Sequence, residues 1–228
     1  MEWKINEVRL GRIAPLGPKG VPSGIDKQPA TGPVVLTRTG LEGDEHGDTR
    51  HHGGAEKAVH LYPQDHYADW RRELPDLAER FVAGGFGENL VVGGITEADV
   101  CIGDVFRAGS ALVELSQGRQ PCWRLNLRFG LGDMARRVQD TGRTGWYFRV
   151  VEPGEIAAGA DLTLVRRPHP AWTLRRVHRL LYRETLDLDA LAEFALLPSL
   201  SPSWQELARR RLGRRSVESW DRRVQTPE

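Results

Sequence analysis

The stretch of sequence that decides the fold is GDEHGDTRHHGGAEKAVHLYPQDHYADW, residues 43–70. Its first half is polar and contains glycines that interrupt regular structure, so we predict a loop there. Residues 58–62 are mostly apolar and predict a short strand. Tyr67 and Trp70 then follow at helical spacing, in a helix that Pro63 is expected to open. A polar loop held by a strand and a helix is a common way to build a functional site.

Short apolar strands recur on both sides of this stretch. They are predicted at residues 7–10, 34–38, 58–62, 100–107, 111–116, 145–151 and 161–165, and a glycine loop within residues 84–92 runs into a further strand. Residues 14–33 are rich in proline and glycine and predict a loop, whereas residues 131–138 predict one short helix. Many short strands with few helices, and without a βαβ rhythm, indicate a mainly β protein with an antiparallel or mixed β-barrel.

The composition changes near residues 166–170, and the remainder predicts helices without strands. Asp187 is a good N-cap for the second of three helices, and Ser201 before Pro202 is a good start for the third. We therefore predict a β-barrel domain over residues 1–168 and a small three-helix domain over residues 169–228. Such a short bundle needs the barrel or another subunit for burial, and we further predict a homodimer formed through this tail.

The overall composition excludes several classes of protein. The 228 residues carry a formal net charge of +1, which gives no field that would favour nucleic acid or membrane as a partner. The chain has no apolar run long enough to span a bilayer and no signal-peptide pattern at its start. Two cysteines do not make a disulfide framework. We therefore expect a cytoplasmic protein with reduced thiols.

The histidines are the first candidates for chemistry. Five of the seven lie within residues 43–70, namely His46, His51, His52, His60 and His66. Imidazole is a common metal ligand, but the stretch has no His-Glu-x-x-His pattern and the cysteines are too far apart for a zinc knuckle. Hydrogen bonds to loop carbonyls or to a bound anion are therefore the stronger interpretation, with metal binding as the alternative.

Cys122 is the second candidate. It follows a predicted strand end, and Pro121 restricts the backbone before it. The neighbouring Arg119 and Arg124 would favour the thiolate, the form that attacks electrophiles and binds metals. A buried and inert thiol is the alternative for Cys122. Cys101 lies within an apolar strand and is predicted to belong to the core.

Several short motifs together carry a family resemblance. They are residues 23–27 (SGIDK), 40–44 (GLEGD), 52–59 (HGGAEKAV), 62–63 (YP), 66–70 (HYADW), 86–90 (FGENL), 102–104 (IGD) and 119–122 (RQPC). In this order and spacing the chain resembles the MOSC family, a domain shared with the C-terminal part of molybdenum-cofactor sulfurases. It is most similar to the YiiM type, which is linked to resistance to 6-hydroxylaminopurine and similar N-hydroxylated bases, and the helical tail resembles the small C-terminal domain of that type.

This resemblance implies a MOSC-type β-barrel and the molybdenum cofactor, molybdopterin, whose pterin dithiolene carries a phosphate. Cys122 matches the family cysteine expected to ligate molybdenum or to carry sulfur, and a soft thiolate suits that metal. The other implied site residues are Lys27, Lys57 and Arg119 as phosphate or pterin contacts, His52, Gly53 and Gly54 as the residues that shape the pocket, and Asn89 as a hydrogen-bond partner of the pterin.

One position departs from the family pattern. The family usually has the sequence Ser-Gln-Pro-Arg at this point, whereas here Gly118 stands before Arg119. Because glycine has more backbone freedom than proline, the change predicts a looser loop before Cys122.

The resemblance implies a molybdenum-dependent oxidoreductase that reduces N-hydroxylated small molecules, converting R–NHOH into R–NH2 and water. The sequence has no flavin or haem pattern, and two cysteines cannot hold a four-cysteine cluster, so a separate electron-donor protein is expected. Two alternatives stay open. One is a sulfur carrier or cofactor-handling module that uses a persulfide on Cys122, and the other is a non-enzymatic metal-binding protein that uses the histidine loop.

Overall fold

The computed structural model of the protein describes residues 1–48 and 53–227. Its strands are β1 (Glu2–Gly11), β2 (Ala14–Leu16), β3 (Val21–Ser23), β4 (Lys27–Pro29), β5 (Val34–Thr37), β6 (Gly40–Leu41), β7 (Val59–Pro63), β8 (Leu90–Val92), β9 (Val105–Ala108), β10 (Ala111–Gly118), β11 (Trp146–Glu152), β12 (Gly154–Ile156) and β13 (Asp161–Arg166). Its α-helices are α1 (His66–Glu73), α2 (Arg124–Phe129), α3 (Met134–Thr141), α4 (Leu174–Tyr182), α5 (Leu188–Ala195), α6 (Pro202–Arg214) and α7 (Asp221–Val224). Two short 3₁₀ helices cover Ala55–Lys57 and Pro75–Arg80.

Seven of these strands form a closed barrel, which confirms the predicted fold class. The order around the ring is β1, β13, β9, β10, β11, β7 and β8, and β8 returns to β1. The ring closes where Glu2, Trp3 and Lys4 pair antiparallel with Thr163, Leu162 and Asp161. Strands β7 and β8 are parallel to each other. The barrel is therefore mixed, and closure leaves its principal strands without an open sheet edge.

Alternating burial along the strands fills the barrel. On β10, Ala111, Val113 and Leu115 are buried, while Leu112 and Glu114 are half-buried. This is the period of two that the sequence shows, because successive side chains of a strand point to opposite faces. The apolar cluster inside the barrel continues into the helical tail.

Two local predictions were wrong. Residues 14–33, predicted as a loop, contain the β2–β3 hairpin and the short strand β4, which pairs with the end of β1. Prolines are tolerated there because these short strands lie at edges, where a missing N–H group leaves no ladder bond unmade. Pro63 does not open the helix: it is the last residue of β7, opposite Val92, and α1 begins at His66.

The tail contains the three predicted helices, α4, α5 and α6. The side chain of Thr173 caps α4 by accepting from the backbone N–H of Arg176 at 3.2 Å. Asp187 caps α5 by accepting from Ala190 N–H at 3.0 Å, as predicted. Helix α2 and the fourth tail helix, α7, were not predicted. In the described part of the chain, each helix is too short or too polar to cross a membrane.

Candidate active site

A narrow cavity of about 60 Å³ lies where several loops meet the barrel. Six of the eight predicted site residues line it: Lys27, Gly53, Lys57, Asn89, Arg119 and Cys122. Gly54 is adjacent to this cavity in the chain but does not line it, and His52 lies outside the described residues. Residues far apart in sequence, which the family resemblance implied as one site, thus converge on one cavity.

A wider cavity adjoins the narrow one, and we call it the vestibule. Its volume is about 820 Å³, and Asp48, Lys57, Cys122 and Arg124 line both cavities. Cys122 therefore stands at the boundary between a narrow inner space and a vestibule wide enough for a small organic molecule.

The chain before Cys122 is held by the barrel. Strand β10 ends at Gly118, opposite Trp146 of β11, and the next N–H, that of Arg119, donates to the carbonyl of Gly145 at 3.0 Å. A Cβ atom at Gly118 would lie 3.1 Å from Cη2 of Trp204 in α6. The glycine thus allows close packing of the helical tail on the paired end of β10. This arrangement differs from the looser loop that the glycine predicts.

Cys122 itself is a half-buried cysteine just before α2 and is not part of a disulfide. Its carbonyl accepts from the N–H of Leu125 at 3.0 Å. Lys57 lies close enough to respond to its charge. Burial lowers the pKa of Lys57, while the negative charges of the Cys122 thiolate and of Asp48 act in the opposite direction. A negative charge on Cys122 thus stabilises the protonated form of Lys57.

Lys27 forms a buried ion pair with Asp44, and both side chains are almost fully shielded from solvent. The carboxylate of Asp44 also accepts from the backbone N–H of Gly11 at 2.7 Å. Burial lowers the pKa of Lys27, and the neighbouring Asp44 opposes that shift. The cavity wall therefore carries an ammonium group whose desolvation is offset only in part by its partner.

Asn89 connects three parts of this wall. Its amide group donates to the Arg9 carbonyl at 3.1 Å and to Oδ2 of Asp44 at 2.9 Å. Its oxygen accepts from the backbone N–H of His60 at 3.1 Å. Both donors of the amide are used within the protein. Asn89 therefore orients Asp44 and β7, and its contact with a pterin stays a prediction.

Arg119 supplies a buried positive charge to the wall of the inner cavity. Its side chain is almost fully buried, yet no acceptor among residues 1–48 and 53–227 hydrogen-bonds to Nη1. Burial and the positive charge of Arg119 hold the pKa of His60 well below its usual range, so that imidazole is neutral; the backbone near the ring acts in the opposite direction. A buried guanidinium with an unused donor fits an anionic ligand, since such donors are otherwise paired in native proteins.

Of the described histidines of residues 43–70, His46 and His60 line the inner cavity and His66 does not. His46 Nε2 lies 3.7 Å from Asp44 Oδ2 at the cavity, whereas His66 Nε2 bonds to Glu97 Oε2 at 2.8 Å elsewhere. His51 lies outside the described residues, like His52. Within the described ranges, no group of three or more His, Cys, Asp or Glu side chains could hold a metal ion.

Tyr147 is a cavity residue that sequence reasoning missed. Its ring lies 4.9 Å from that of His60, and Nζ of Lys57 lies 6.0 Å from its centroid. Burial raises the pKa of its hydroxyl. A signal was present in the sequence, because Trp146 and Phe148 point into the barrel core and strand alternation turns Tyr147 to the other face.

Glycines bring the loops together around the cavity. Gly53 has a φ of 75°, and a Cβ atom there would lie 2.6 Å from Cδ2 of His46. At Gly47 a Cβ atom would lie 2.2 Å from the carbonyl oxygen of Pro22. Larger residues at either position would force these loops apart, so the glycines are needed for the shape of the cavity.

Two protein-family models match this chain, and known proteins resemble it in sequence and in structure. The MOSC domain model matches residues 48–163, and the model of the YiiM-like 3-alpha helix domain matches residues 172–215. Protein YiiM of Escherichia coli (strain K12) is 40% identical over 218 residues, which cover 96% of each chain. The crystal structure of YiiM from Escherichia coli superimposes with a TM-score of 0.81 and 36% identity, over 94% of this chain and 100% of the other. A longer protein of Gibberella moniliformis named "Reductase" is 41% identical over 209 residues, or 90% of this chain and 37% of that protein.

Proposed function

The chain belongs to the MOSC family, in its YiiM-like group, and from this premise we propose that it is a molybdenum-cofactor-dependent reductase of N-hydroxylated small molecules. The substrate class includes 6-hydroxylaminopurine. Each turnover would convert R–NHOH into R–NH2 and water and would consume two electrons and two protons. The name "Reductase" of the Gibberella moniliformis relative supports the reaction type.

The observation that carries this proposal is the position of Cys122. Its thiol lies at the boundary between a cationic inner cavity and the vestibule. The cavity also contains Lys27, Lys57 and Arg119, so an anionic group bound inside would be stabilised next to the thiol. A soft sulfur ligand beside an anion site suits a metal held by a phosphate-bearing organic cofactor.

The residues present fit the molybdenum cofactor. Arg119 has the unused buried donor that a phosphate or pterin acceptor would satisfy, and Cys122 has the soft ligand atom. Lys57 and Lys27 would add positive charge to the same anion site. When bound there, the cofactor would supply oxygen-atom and electron transfer, which no protein side chain provides.

The chain's own residues would bind the cofactor, orient the substrate and move protons. Lys57 lies at the boundary with the vestibule, and its lowered pKa makes the proton on Nζ easier to transfer to a leaving hydroxyl group. Neutral His60 and the hydroxyl of Tyr147 line the inner wall and could hydrogen-bond to polar edges of the cofactor. The Lys27–Asp44 pair would keep that wall rigid.

A sulfur carrier is the second candidate, because a half-buried thiol that faces a vestibule could also carry a persulfide. The two functions make different demands on Cys122. A reductase needs the thiolate as a ligand while substrate turns over, whereas a carrier needs a sulfur atom that can leave.

The test is the metal and cofactor content of the protein from a cofactor-competent host, combined with a reduction assay. Molybdenum and zinc are measured by mass spectrometry for the wild type and for Cys122→Ser, and 6-hydroxylaminopurine is assayed with a chemical electron donor. Molybdenum with turnover in the wild type, both lost in the variant, would support the reductase.

The other outcomes separate the alternatives. Pterin or persulfide without turnover would replace the reductase by a carrier. Zinc in both proteins without pterin would reject the cofactor and favour metal binding by the histidine loop. The electron-donor protein, the cytoplasmic location and the homodimer stay predictions, and light scattering at micromolar concentration checks the last of these.

A further inference from the structure

The C-terminal segment, residues 221–227, returns from the helical tail to the loop that carries Cys122. It lies beyond the residues matched by either family model. Helix α7 occupies its first half, and Val224 in that helix is only 3% exposed. Val224 packs with Leu125, Phe129 and Val138, in the apolar cluster beside the barrel. The segment is therefore fixed to the barrel domain as well as being joined to the tail.

Arg223 holds the chain on both sides of Cys122. Its backbone carbonyl accepts from the N–H of Trp123 at 2.7 Å. Its guanidinium donates through Nη1 to the carbonyl of Pro121 and through Nη2 to Oε1 of Gln139. One residue thus bonds to the peptide groups immediately before and after the cysteine.

Two more hydrogen bonds extend this attachment towards the end of the chain. Nδ2 of Asn126 donates to the carbonyl of Val224 at 2.8 Å and lies 3.3 Å from Oγ1 of Thr226. Asn126 is 3% exposed and belongs to α2, the helix that follows Cys122. The cysteine loop, α2 and the C-terminal segment therefore form one connected unit.

The same segment forms a wall of the vestibule. The residues it contributes are Asp221, Arg222, Arg223, Gln225, Thr226 and Pro227. Gln120, Trp123 and Arg124 line the vestibule as well, so its surface combines an aromatic ring with amide and guanidinium groups. Such a surface suits a planar heterocycle with hydrogen-bonding edges, because rings stack on aromatic and guanidinium planes while amides pair with the edges.

We propose that residues 221–227 complete the active site, with Arg223 as a positioning residue for Cys122 and with Gln225 in the wall that selects planar heterocyclic substrates. The role in substrate selection rests on the proposed reductase function. The positioning of Cys122 can be tested without it.

The first experiment measures the alkylation rate of Cys122 by iodoacetamide in the full-length protein purified without cofactor. The variants are Arg223→Met, Arg223→Lys and, as a matched control, Arg210→Met, which replaces an exposed arginine of α6. Cys101 is only 1% exposed and should not react in the native state. We expect Arg223→Met to change the rate at least about threefold, because the loop loses the hydrogen bonds of the guanidinium to Pro121 and Gln139. Arg210→Met should leave the rate unchanged.

Arg223→Lys keeps a cationic donor and should restore part of the wild-type rate. It also serves as the working variant if Arg223→Met does not fold. A rate equal to the wild type in both Arg223 variants would overturn the positioning role. In the cofactor-loaded enzyme, the same role predicts that kcat for 6-hydroxylaminopurine falls about tenfold in Arg223→Met while KM stays within about twofold.

The second experiment narrows the vestibule with Gln225→Trp at an exposed position. The bulky thiol reagent dithiobis(nitrobenzoic acid) should then react with Cys122 at least about threefold more slowly, with little change for iodoacetamide. In the loaded enzyme, KM should rise for 6-hydroxylaminopurine but not for hydroxylamine. Equal effects on both reagents would contradict the placement of Gln225 in the vestibule wall, whether or not the protein proves to be a reductase.

Discussion

The regions around the two cysteines contain the same kinds of chemical group. Beside Cys101, the buried carboxylate of Asp104 accepts from Arg167 Nη2 at 2.7 Å and from the N–H of Cys101 at 2.8 Å. Behind the wall of the Cys122 cavity, the buried carboxylate of Asp44 pairs with Lys27 and also accepts a backbone N–H. Each region thus combines a thiol, a buried carboxylate and a cation.

The regions differ in what surrounds the thiol. Cys101 is enclosed, and burial, supported by the charge of Asp104 and opposed by Arg167, raises its pKa to about 11. Cys122 borders two cavities, which Lys27, Lys57 and Arg119 also line. Several nearby cations and open space, rather than the ion pair itself, therefore distinguish the thiol that we propose to be functional from the enclosed one.

The largest expected contrast is between the two serine variants. Cys122→Ser should lower kcat/KM for 6-hydroxylaminopurine at least about a thousandfold, since a hydroxyl is a poor replacement for a soft thiolate ligand. Cys101→Ser should stay within about threefold of the wild type. Comparable losses in both variants would remove the functional distinction between the two regions.

The next contrast concerns stability. Asp104→Asn weakens the interaction with Arg167, whose Nε and Nη2 both donate to the carboxylate. We expect the free energy of unfolding to fall by about 2 kcal/mol, the scale of a hydrogen bond to a charged group. Urea denaturation measures this loss. Molybdenum content per folded protein should stay at the wild-type level, and a marked decrease would show that the Cys101 region also serves the cofactor.

Arg119→Met and Arg167→Met form a matched pair with opposite outcomes. Removing Arg119 takes away a buried guanidinium that has an unused donor, so stability should hardly change while molybdenum retention falls about tenfold. Removing Arg167 should lower stability and leave the cofactor in place, because that arginine is bound to Asp104. Mass spectrometry after gel filtration and urea denaturation read out the two effects, and an exchange of the two results would contradict our assignment.

The smallest effect is a pH dependence. The Cys101 thiol has a pKa of about 11 in the folded protein against an ordinary value of 9.0, so the folded state holds its proton more tightly. Stability should therefore decrease as the pH rises from about 9 to 11, where the unfolded chain ionises first. We expect the Tm of the wild type to fall about 3 °C further over this range than that of Cys101→Ala. Parallel decreases in both proteins would show that other groups dominate.

The strands and tail helices were predictable because their signals are local. Alternation of apolar residues marks β10 and β11, and the caps Thr173 and Asp187 stand where α4 and α5 begin. Pro63 misled the prediction because proline suits both a strand end and a first helical turn. Helix α7 has four residues, which is too short for any periodic signal.

Much of the site depends on contacts that no local pattern contains. The lysines were found through the family motifs, and those motifs also gave Cys122 a role, whereas its sequence context alone left an inert thiol as an open alternative. Arg223 meets Pro121 across 102 positions of sequence and stands among other arginines in an arginine-rich tail. The occupied amide of Asn89 likewise becomes apparent only when Arg9 and Asp44 are brought beside it.

Ring closure also has a consequence for how the chain is made. Glu2 pairs with Thr163, so β1 waits for its partner until more than 160 residues have been synthesised. At the usual rates of translation this interval lasts roughly 8–30 s, during which one edge of β1 is uncovered. Contacts of such long sequence separation also slow folding. The nascent barrel is thus most exposed to aggregation during synthesis. The hydrogen bonds that Arg223 makes on both sides of Cys122 form only after residue 223 has been synthesised.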